Sequence, residues 1–400
     1  SFGLYPGLTA NAIDAIENIR AGKLSSEMLV ESCLSRIKER EPTIGAWEFL
    51  NTSEAIRIAR NFDQDKSEKQ LGGIPIGVKD IFNTHKIPTT YGSPIYKNNI
   101  PNGDASCVTQ FRNEGGIVLG KTVTTEFAMF QPGKTVNPVN IEHTPGGSSS
   151  GSAAAVADFM VPIALGSQTV GSTIRPASFC GVVGYKPSFG LVDRTGVRTL
   201  AEFFDTVGVF SRTIKDAALF VSIISRHPSL SITTYPKFQP KIGYCKTPVW
   251  DYADADSKVV FEKAKDLISN AGGSLEEIIL PELFNEVVNA QTVIVDFEAA
   301  NSAAWELNFH KELVSNKYIE RAEIGLRYTE QQYEEAINLV TEAKNMFQAL
   351  MTDIDVNWLQ TVAEGWAAPL KGFMREGTLL QTIHFNSMLV DAHNLTGNYA

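Results

Sequence analysis

Four short apolar runs constrain this 400-residue chain more than any other feature: IPIGV from Ile74, GIVLGKTV from Gly116, VPIALGS from Val161 and CGVVGYKP from Cys180. Each is too short for a helix of ordinary length and too apolar to keep one face in water, so each reads as a short buried strand. Helical patterns fall between them, in DASCVTQFRNEGG and in SGSAAAVADFM. Strands alternating with helices predict an α/β layered core, because a sheet that is apolar on both faces needs a covering layer on each.

The flanking regions are more helical. Apolar residues recur at helix spacing through TANAIDAIENIR and again through SSEMLVESCLSRIKER, where Ser25 or Ser26 is placed to cap the second helix. A third helix is expected from Asn51 to Phe62, followed by the charged string DQDKSEK (Asp63 to Lys69) as a solvated loop and by Gly72-Gly73 as a turn into the first strand. That strand ends at Lys79. Beyond residue 232, KIGYC reads as a strand, SKVVFEKAKDLISNAGG as a helix with its stop, and Thr329 to about Leu350 as a long helix with Thr329 and Gln332 forming a capping box. The Gly/Ser concentration at Gly146–Ser152 is too short and too closely flanked by structured segments to be a linker. The expected organisation is one α/β domain over 1–400, with a helical part at 1–65, a core at 66–230 and a sheet-completing region at 231–400.

Composition excludes several classes of function. A net charge of −10 opposes broad binding to phosphate backbones or anionic bilayers. No nucleic-acid or membrane partner is expected, and no apolar stretch reaches the roughly 20 residues that cross a bilayer. The N-terminus, which begins at Ser1, lacks the basic and apolar regions of a signal peptide. Cys33, Cys107, Cys180 and Cys245 are too scattered for a redox pair or a zinc knuckle, which favours a reducing, cytoplasmic setting. Asn51-Thr-Ser and Asn394-Leu-Thr then count as chance matches to the glycosylation pattern. The six histidines form no ligand motif, so neither metal nor cofactor is expected.

One motif misleads. Gly115-Gly-Ile-Val-Leu-Gly-Lys121-Thr122 satisfies the G-x-x-x-x-G-K-[ST] pattern of a phosphate loop. Such a loop follows a strand and opens a helix, whereas here Ile-Val-Leu follows a helix and belongs inside the sheet.

The stronger signal is distributed over three pieces: IPIGVKD (Ile74–Asp80), TPGGSSSGSAAAVA (Thr144–Ala157) and GSQTVGSTIRPASFCG (Gly166–Gly181). Taken singly, Lys79-Asp80 reads equally well as a solvated charge pair, and Ser148 and Ser172 as turn hydroxyls. Together the pieces resemble the amidase signature family, most specifically over residues 8–225. The resemblance implies a large mixed, twisted β-sheet covered on both sides by helices, and hydrolysis of linear carboxamides by a lysine, a serine in a cis peptide and a nucleophilic serine. Those roles fall on Lys79, Ser148 and Ser172.

The chemistry needs these residue types. Ser172 must lose its proton as it attacks an amide carbonyl, so a base is required. An exposed lysine, with a reference pKa of about 10.4, cannot serve; one buried among neutral hydroxyls can. The proton would pass from Ser172 to Ser148 as Ser148 gives its own to Lys79, and water would then release the acyl group. By resemblance the N–H groups of Thr169, Val170, Gly171 and Ser172 line the oxyanion hole.

Val170 departs from the family's usual glycine at that position, and its branched side chain could restrict the loop or narrow an acyl pocket. Arg175 sits where some small-acid amidases hold a substrate carboxylate, though a guanidinium also suits a buried carboxylate or a carbonyl edge. Met129, with Glu126, Phe127 and Phe130, is assigned to a substrate pocket wall or to the core; Asp205 is assigned a capping or structural role. The segments EGWAAPLKG and HFNSML resemble a substrate-facing region, but the family's usual closing strand is not evident before Ala400. The expected activity is hydrolysis of a small amide substrate, acidic if Arg175 contacts it, by a chain that could pair as a homodimer. The alternatives are a catalytically silent binding protein of the same fold and a glutaminase-type subunit of an amidotransferase.

Overall fold

The six-stranded sheet at the centre of the molecule is built from all four apolar runs. The computed structural model describes residues 7, 9–65, 68–232, 239–253 and 255–354, and the backbone of 356–359. Helices α1 (Ala12–Arg20) and α2 (Ser26–Ile44) lead into strand β1 (Trp47–Leu50) and helix α3 (Thr52–Asp65). The Ser25 hydroxyl caps α2 by accepting the Met28 N–H, and Gly45 ends it in the left-handed region, φ 63°, which costs glycine little. Strand β2 (Pro75–Lys79), helix α4 (Ser106–Asn113), strand β3 (Ile117–Thr122), helix α5 (Ser150–Ala157) and strand β4 (Ile163–Gln168) follow as the sequence predicts. Helix α6 (Ile174–Cys180), strands β5 (Val183–Tyr185) and β6 (Thr206–Ser211) and helix α7 (Ile214–Ile224) complete this half.

The strand order is β1-β3-β2-β4-β6-β5. The three central strands β3, β2 and β4 run parallel, and β1, β6 and β5 join antiparallel. The sheet is therefore mixed and flanked by helices, as expected. One strand differs from its sequence reading: β5 lies at the edge, so Tyr185 is exposed rather than buried. The segment Gly115–Thr122 is no phosphate loop, since Ile117–Thr122 is a fully buried strand with Lys121 inside it.

A second, three-stranded parallel sheet has the order β8-β7-β9, formed by β7 (Lys241–Cys245), β8 (Ser274–Glu277) and β9 (Val356–Leu359). Helices α8 (Ala255–Asn270), α9 (Phe284–Ser302), α10 (Ala304–Phe309), α11 (Asn316–Gly325) and α12 (Glu330–Leu350) accompany it. The capping box at Thr329 and Gln332 is present. Phe284, Ile294, Val340 and Phe347 centre a second apolar cluster, which also takes in Ala201 and Phe204 from the chain just before β6. EGWAAPLKG, HFNSML and the region of the expected closing strand lie outside the described residues. Among the described residues, no helix is long and apolar enough to cross a membrane.

Helix α5 shows why its composition is so small. Its residues Ser150 to Val156 are all buried, and it packs on β2, β3 and β4. The Gly151 N–H donates to the Val123 carbonyl at 3.0 Å, and a Cβ there would lie 2.3 Å from the Ala46 carbonyl oxygen and 2.4 Å from the Val123 nitrogen. Both are backbone atoms, so the helix itself must move to admit a methyl. Gly151→Ala is expected to destabilise the fold by about 1–3 kcal/mol, the usual cost of overpacking a core. Urea unfolding measures this, and an unchanged midpoint would mean that α5 can retreat at no cost.

Candidate active site

Parallel pairing of β2 with β4 brings their carboxyl ends together, with Val78 opposite Leu165. Lys79 ends β2, and Ser167 and Gln168 end β4. Lys79 is fully buried; its Nζ donates to Ser148 Oγ at 2.6 Å and to Ser167 Oγ at 2.8 Å. Burial pushes the amine well below the ordinary lysine range of 10.5, with the Asp205 carboxylate opposing the shift and the Arg175 guanidinium adding to it. Two neutral hydroxyls solvate the amine without stabilising its positive charge as a carboxylate would.

The Gly147–Ser148 peptide bond is cis. Several bonds fix the segment around it. Arg175 Nε and Nη2 both donate to the Gly147 carbonyl, at 3.0 and 2.7 Å, and the Thr125 N–H donates to the Ser148 carbonyl at 3.1 Å. Ser149 joins this segment to both neighbours: its N–H donates to the Ser172 carbonyl at 3.3 Å, and its Oγ donates to the Ser167 carbonyl at 3.1 Å while accepting the Ser167 N–H at 3.2 Å. Thus the Lys79 amine meets the Ser148 hydroxyl across 69 positions of sequence, and Ser172, 24 positions further on and also buried, is tied to the same segment through its backbone carbonyl.

The loop 169–172 lies between β4 and α6. Neither Val170 nor Gly171 has a left-handed φ, so the backbone accepts a β-branched residue where the family uses glycine. The Val170 side chain packs against the second apolar cluster. At the start of the loop, Thr169 Oγ1 donates to Asp205 Oδ1 at 2.6 Å, and Asp205 also accepts the Leu200 N–H at 2.8 Å. Burial raises the Asp205 carboxyl to about 6 against the pull of these bonds. Its capping role is thus a structural one that reaches the loop directly. Among the described residues, the N–H groups of Val170, Gly171 and Ser172 enter no hydrogen bond within the protein.

The remaining sequence candidates fall as follows. Arg175 occupies a carbonyl edge, and burial lowers its guanidinium to about 10, still charged at neutral pH. Met129 is buried in the main core, whereas its neighbour Ala128 lines a small cavity with Ser167, Thr169, Arg198 and Asp205. Glu126 accepts the Ser315 N–H at 3.0 Å and so ties this segment to the start of α11. Asp80 is no solvated partner of Lys79; it is buried, 3.3 Å from Lys121 on β3. Lys121 also donates to the Phe82 carbonyl at 2.6 Å and to Thr89 Oγ1 at 2.8 Å. A groove of about 1000 Å³ between α2 and α3 contains none of these residues. Among the described residues, no cluster of histidine, cysteine, aspartate or glutamate could hold a metal ion. Sequence reasoning missed Ser167, whose only signal is its position five before Ser172 in a strand neighbouring β2.

A mixed sheet whose parallel strand ends bury a lysine against serine hydroxyls defines the class of this protein. A family model described as Amidase matches residues 28–388, and the chain belongs to that family. It is 44% identical over 224 residues to the A-type subunit of glutamyl-tRNA(Gln) amidotransferase from Endomicrobium trichonymphae, an alignment covering 53% of this chain and 46% of that relative. It is 33% identical over 321 residues to the corresponding subunit from Cutibacterium acnes (strain DSM 16379 / KPA171202), covering 74% and 64%. The chain thus spans about half to two thirds of the length of these curated relatives. A crystal structure of an amidase superposes with a TM-score of 0.85 at 25% identity, covering 95% of this chain and 90% of that one. Peptide amidase from Stenotrophomonas maltophilia shares the fold, with a TM-score of 0.76 at 22% identity and coverage of 97% and 89%.

The buried amine makes a prediction about stability as well as activity. The folded state binds this proton less tightly than the unfolded chain, so stability rises with pH between the lowered value and 10.5. Lys79→Met removes that penalty, and the variant is expected to melt no lower than the parent at neutral pH, with a flatter dependence of stability on pH. On the reading of Lys79 as the base, proposed below, amide turnover is expected to fall by about 10²–10⁴, the usual loss of a general base. Calorimetry and a turnover assay across pH test the two halves separately.

Proposed function

We propose that this protein hydrolyses a carboxamide through an acyl-enzyme on Ser172, with Ser148 and Lys79 as the proton relay. The Lys79–Ser148 hydrogen bond, made by a desolvated amine, is the observation that carries this reading. In the proposed step, Ser172 Oγ bonds to the carbonyl carbon while its proton passes to Ser148 and the Ser148 proton passes to the neutral amine. Returning a proton along the same path lets the nitrogen leave as ammonia or amine. Water then repeats the attack and releases the carboxylate, restoring Ser172. The N–H groups of Val170, Gly171 and Ser172, with that of Thr169, are proposed to receive the charge on the carbonyl oxygen.

Of the substrate classes, a primary carboxamide cleaved to ammonia, in the manner of a glutaminase-type amidotransferase subunit, is better supported than a small acidic amide. The sequence relatives at 33–44% identity are amidotransferase subunits, and Arg175, the residue that suggested an acidic substrate, is engaged with the Gly147 carbonyl. A stand-alone amidase is the second reading, favoured by the close superposition on a solved amidase. A silent binding protein is the weaker reading, since the backbone at Val170 is compatible with an ordinary branched residue.

Two measurements test this. An electrophilic acyl or sulfonyl probe is expected to label Ser172, as read by mass spectrometry, and Ser172→Ala to abolish the adduct; a parent chain left unlabelled beside a labelled control amidase would remove the nucleophile. Ammonia release from glutamine, compared with release from a panel of neutral and acidic amides, then separates the substrate classes. The glutaminase reading expects little turnover of simple amides and a rise in glutamine turnover with partner subunits. Rapid hydrolysis of the panel by the isolated chain would favour the stand-alone amidase. If Arg175→Ala raises KM selectively for acidic amides, Arg175 contacts the substrate after all; an equal loss on every amide fits its place on Gly147.

A further inference from the structure

The clasp that closes the Ser172 loop is not supplied by the residue that normally supplies one. Thr173 occupies the N-cap position of α6, and threonine is a good capping residue, yet its side chain makes no capping hydrogen bond. Its hydroxyl is turned instead against β6, so close to Gly208 that a Cβ there would lie 2.0 Å from Thr173 Oγ1. The first N–H groups of the helix still need an acceptor, because Thr173 is fully buried, Ile174 is half-buried and neither N–H has a partner within the helix. Gln168 supplies it from across the loop: its Oε1 accepts the Thr173 N–H at 3.0 Å and the Ile174 N–H at 3.1 Å.

This side chain is fully buried at the end of β4, so the bond ties the last strand residue before the loop to the first residues after it. Everything between, Thr169 to Ser172, is held as a closed ring. The Arg175 N–H donates to the Gly171 carbonyl at 2.9 Å and tightens the same turn from the helix side.

We infer that Gln168 is a positioning residue for Ser172 and the N–H groups beside it, acting as a remote cap for α6 in place of Thr173. The inference rests on the reading of Ser172 as nucleophile. Only the Oε1 atom of Gln168 is used; its Nε2 is buried and has no hydrogen-bond partner. A glutamate therefore keeps the acceptor without breaking any bond made by the amide nitrogen, and a carboxylate is favourable at a helix N-terminus. A methionine keeps the length and loses the acceptor.

The test compares Gln168→Met with Gln168→Glu in the full chain. Gln168→Met is expected to slow labelling of Ser172 by the acyl probe about 10–100-fold, as small misplacements of reacting groups do, with kcat reduced and KM changed little. Gln168→Glu is expected to recover most of that loss. Hydrogen exchange at the Thr173 and Ile174 amides is expected to be about tenfold faster in Gln168→Met and near the parent rate in Gln168→Glu, in line with loss of a helix cap. Parent-like labelling in Gln168→Met, or equal losses in both folded variants, would overturn the inference. If the parent itself is not labelled at Ser172, the nucleophile reading fails. In that case the exchange measurement alone reports whether Gln168 holds the loop, and unchanged exchange in Gln168→Met would discard the clasp too.

Discussion

A lysine amine that is buried without a carboxylate partner organises this molecule. Among the described residues, Lys79 is the one buried cation at the carboxyl end of the parallel strands whose side-chain hydrogen bonds go only to hydroxyls, those of Ser148 and Ser167. Desolvation makes its charged form costly and pushes the amine well below the ordinary lysine range, and the groups it bonds to are alcohols. The neighbouring chain carries an acid that could have undone this. Asp80 follows Lys79 directly, but it lies just past the end of β2 and its carboxylate is met by Lys121 of β3 at 3.3 Å. Burial lowers Lys121 to about 8 while its Asp80 partner opposes that shift. The molecule thus holds two buried lysines on adjacent strands, one paired with acid and one with alcohols.

Hydrogen bonds hold the backbone segments around Lys79 in place. Ser149 connects the Ser148 segment to both β4 and the Ser172 turn, Arg175 grips the Gly147 carbonyl, and Asp205 anchors Thr169. These contacts fix the groups facing Lys79. Such a scaffold matters because a fixed backbone fixes the Cβ from which each hydroxyl swings, and proton transfer between side chains depends on short, aligned donor–acceptor pairs. The second apolar cluster takes part as well, receiving Val170 and Phe204 from the chain on either side of β5. It therefore braces the same loop from the direction of α9 and α12.

Much of the first half of the fold was legible in sequence. The four apolar runs became β2, β3, β4 and β5, and the small-residue helix SGSAAAVA became α5, because a period or a continuous apolar stretch is a local property. The weak points follow from the same principle. CGVVGYKP carries the composition of a buried strand, yet β5 lies at an edge, since position in a sheet is fixed by which strand pairs with which. Of the separate sheet only β7 was legible, as KIGYC; β8 and β9 left little trace, because SLEE and VNWL are four-residue strands far apart in the chain.

For the candidate site, sequence by itself determined the candidates and their local settings: Lys79 at a strand end, Ser148 after two glycines and Ser172 before a helix. Tertiary structure decided what surrounds them. It assigned Ser167 to the lysine, Lys121 to Asp80, Arg175 to a carbonyl, and Gln168 to the amides of α6. Each of those pairings joins groups whose contact depends on strand order, on a turn or on the facing side of a strand. A sequence records the identity of a donor or acceptor, but the partner is chosen by distance, and burial then makes that choice binding because an unpaired polar group inside the core has no water to fall back on.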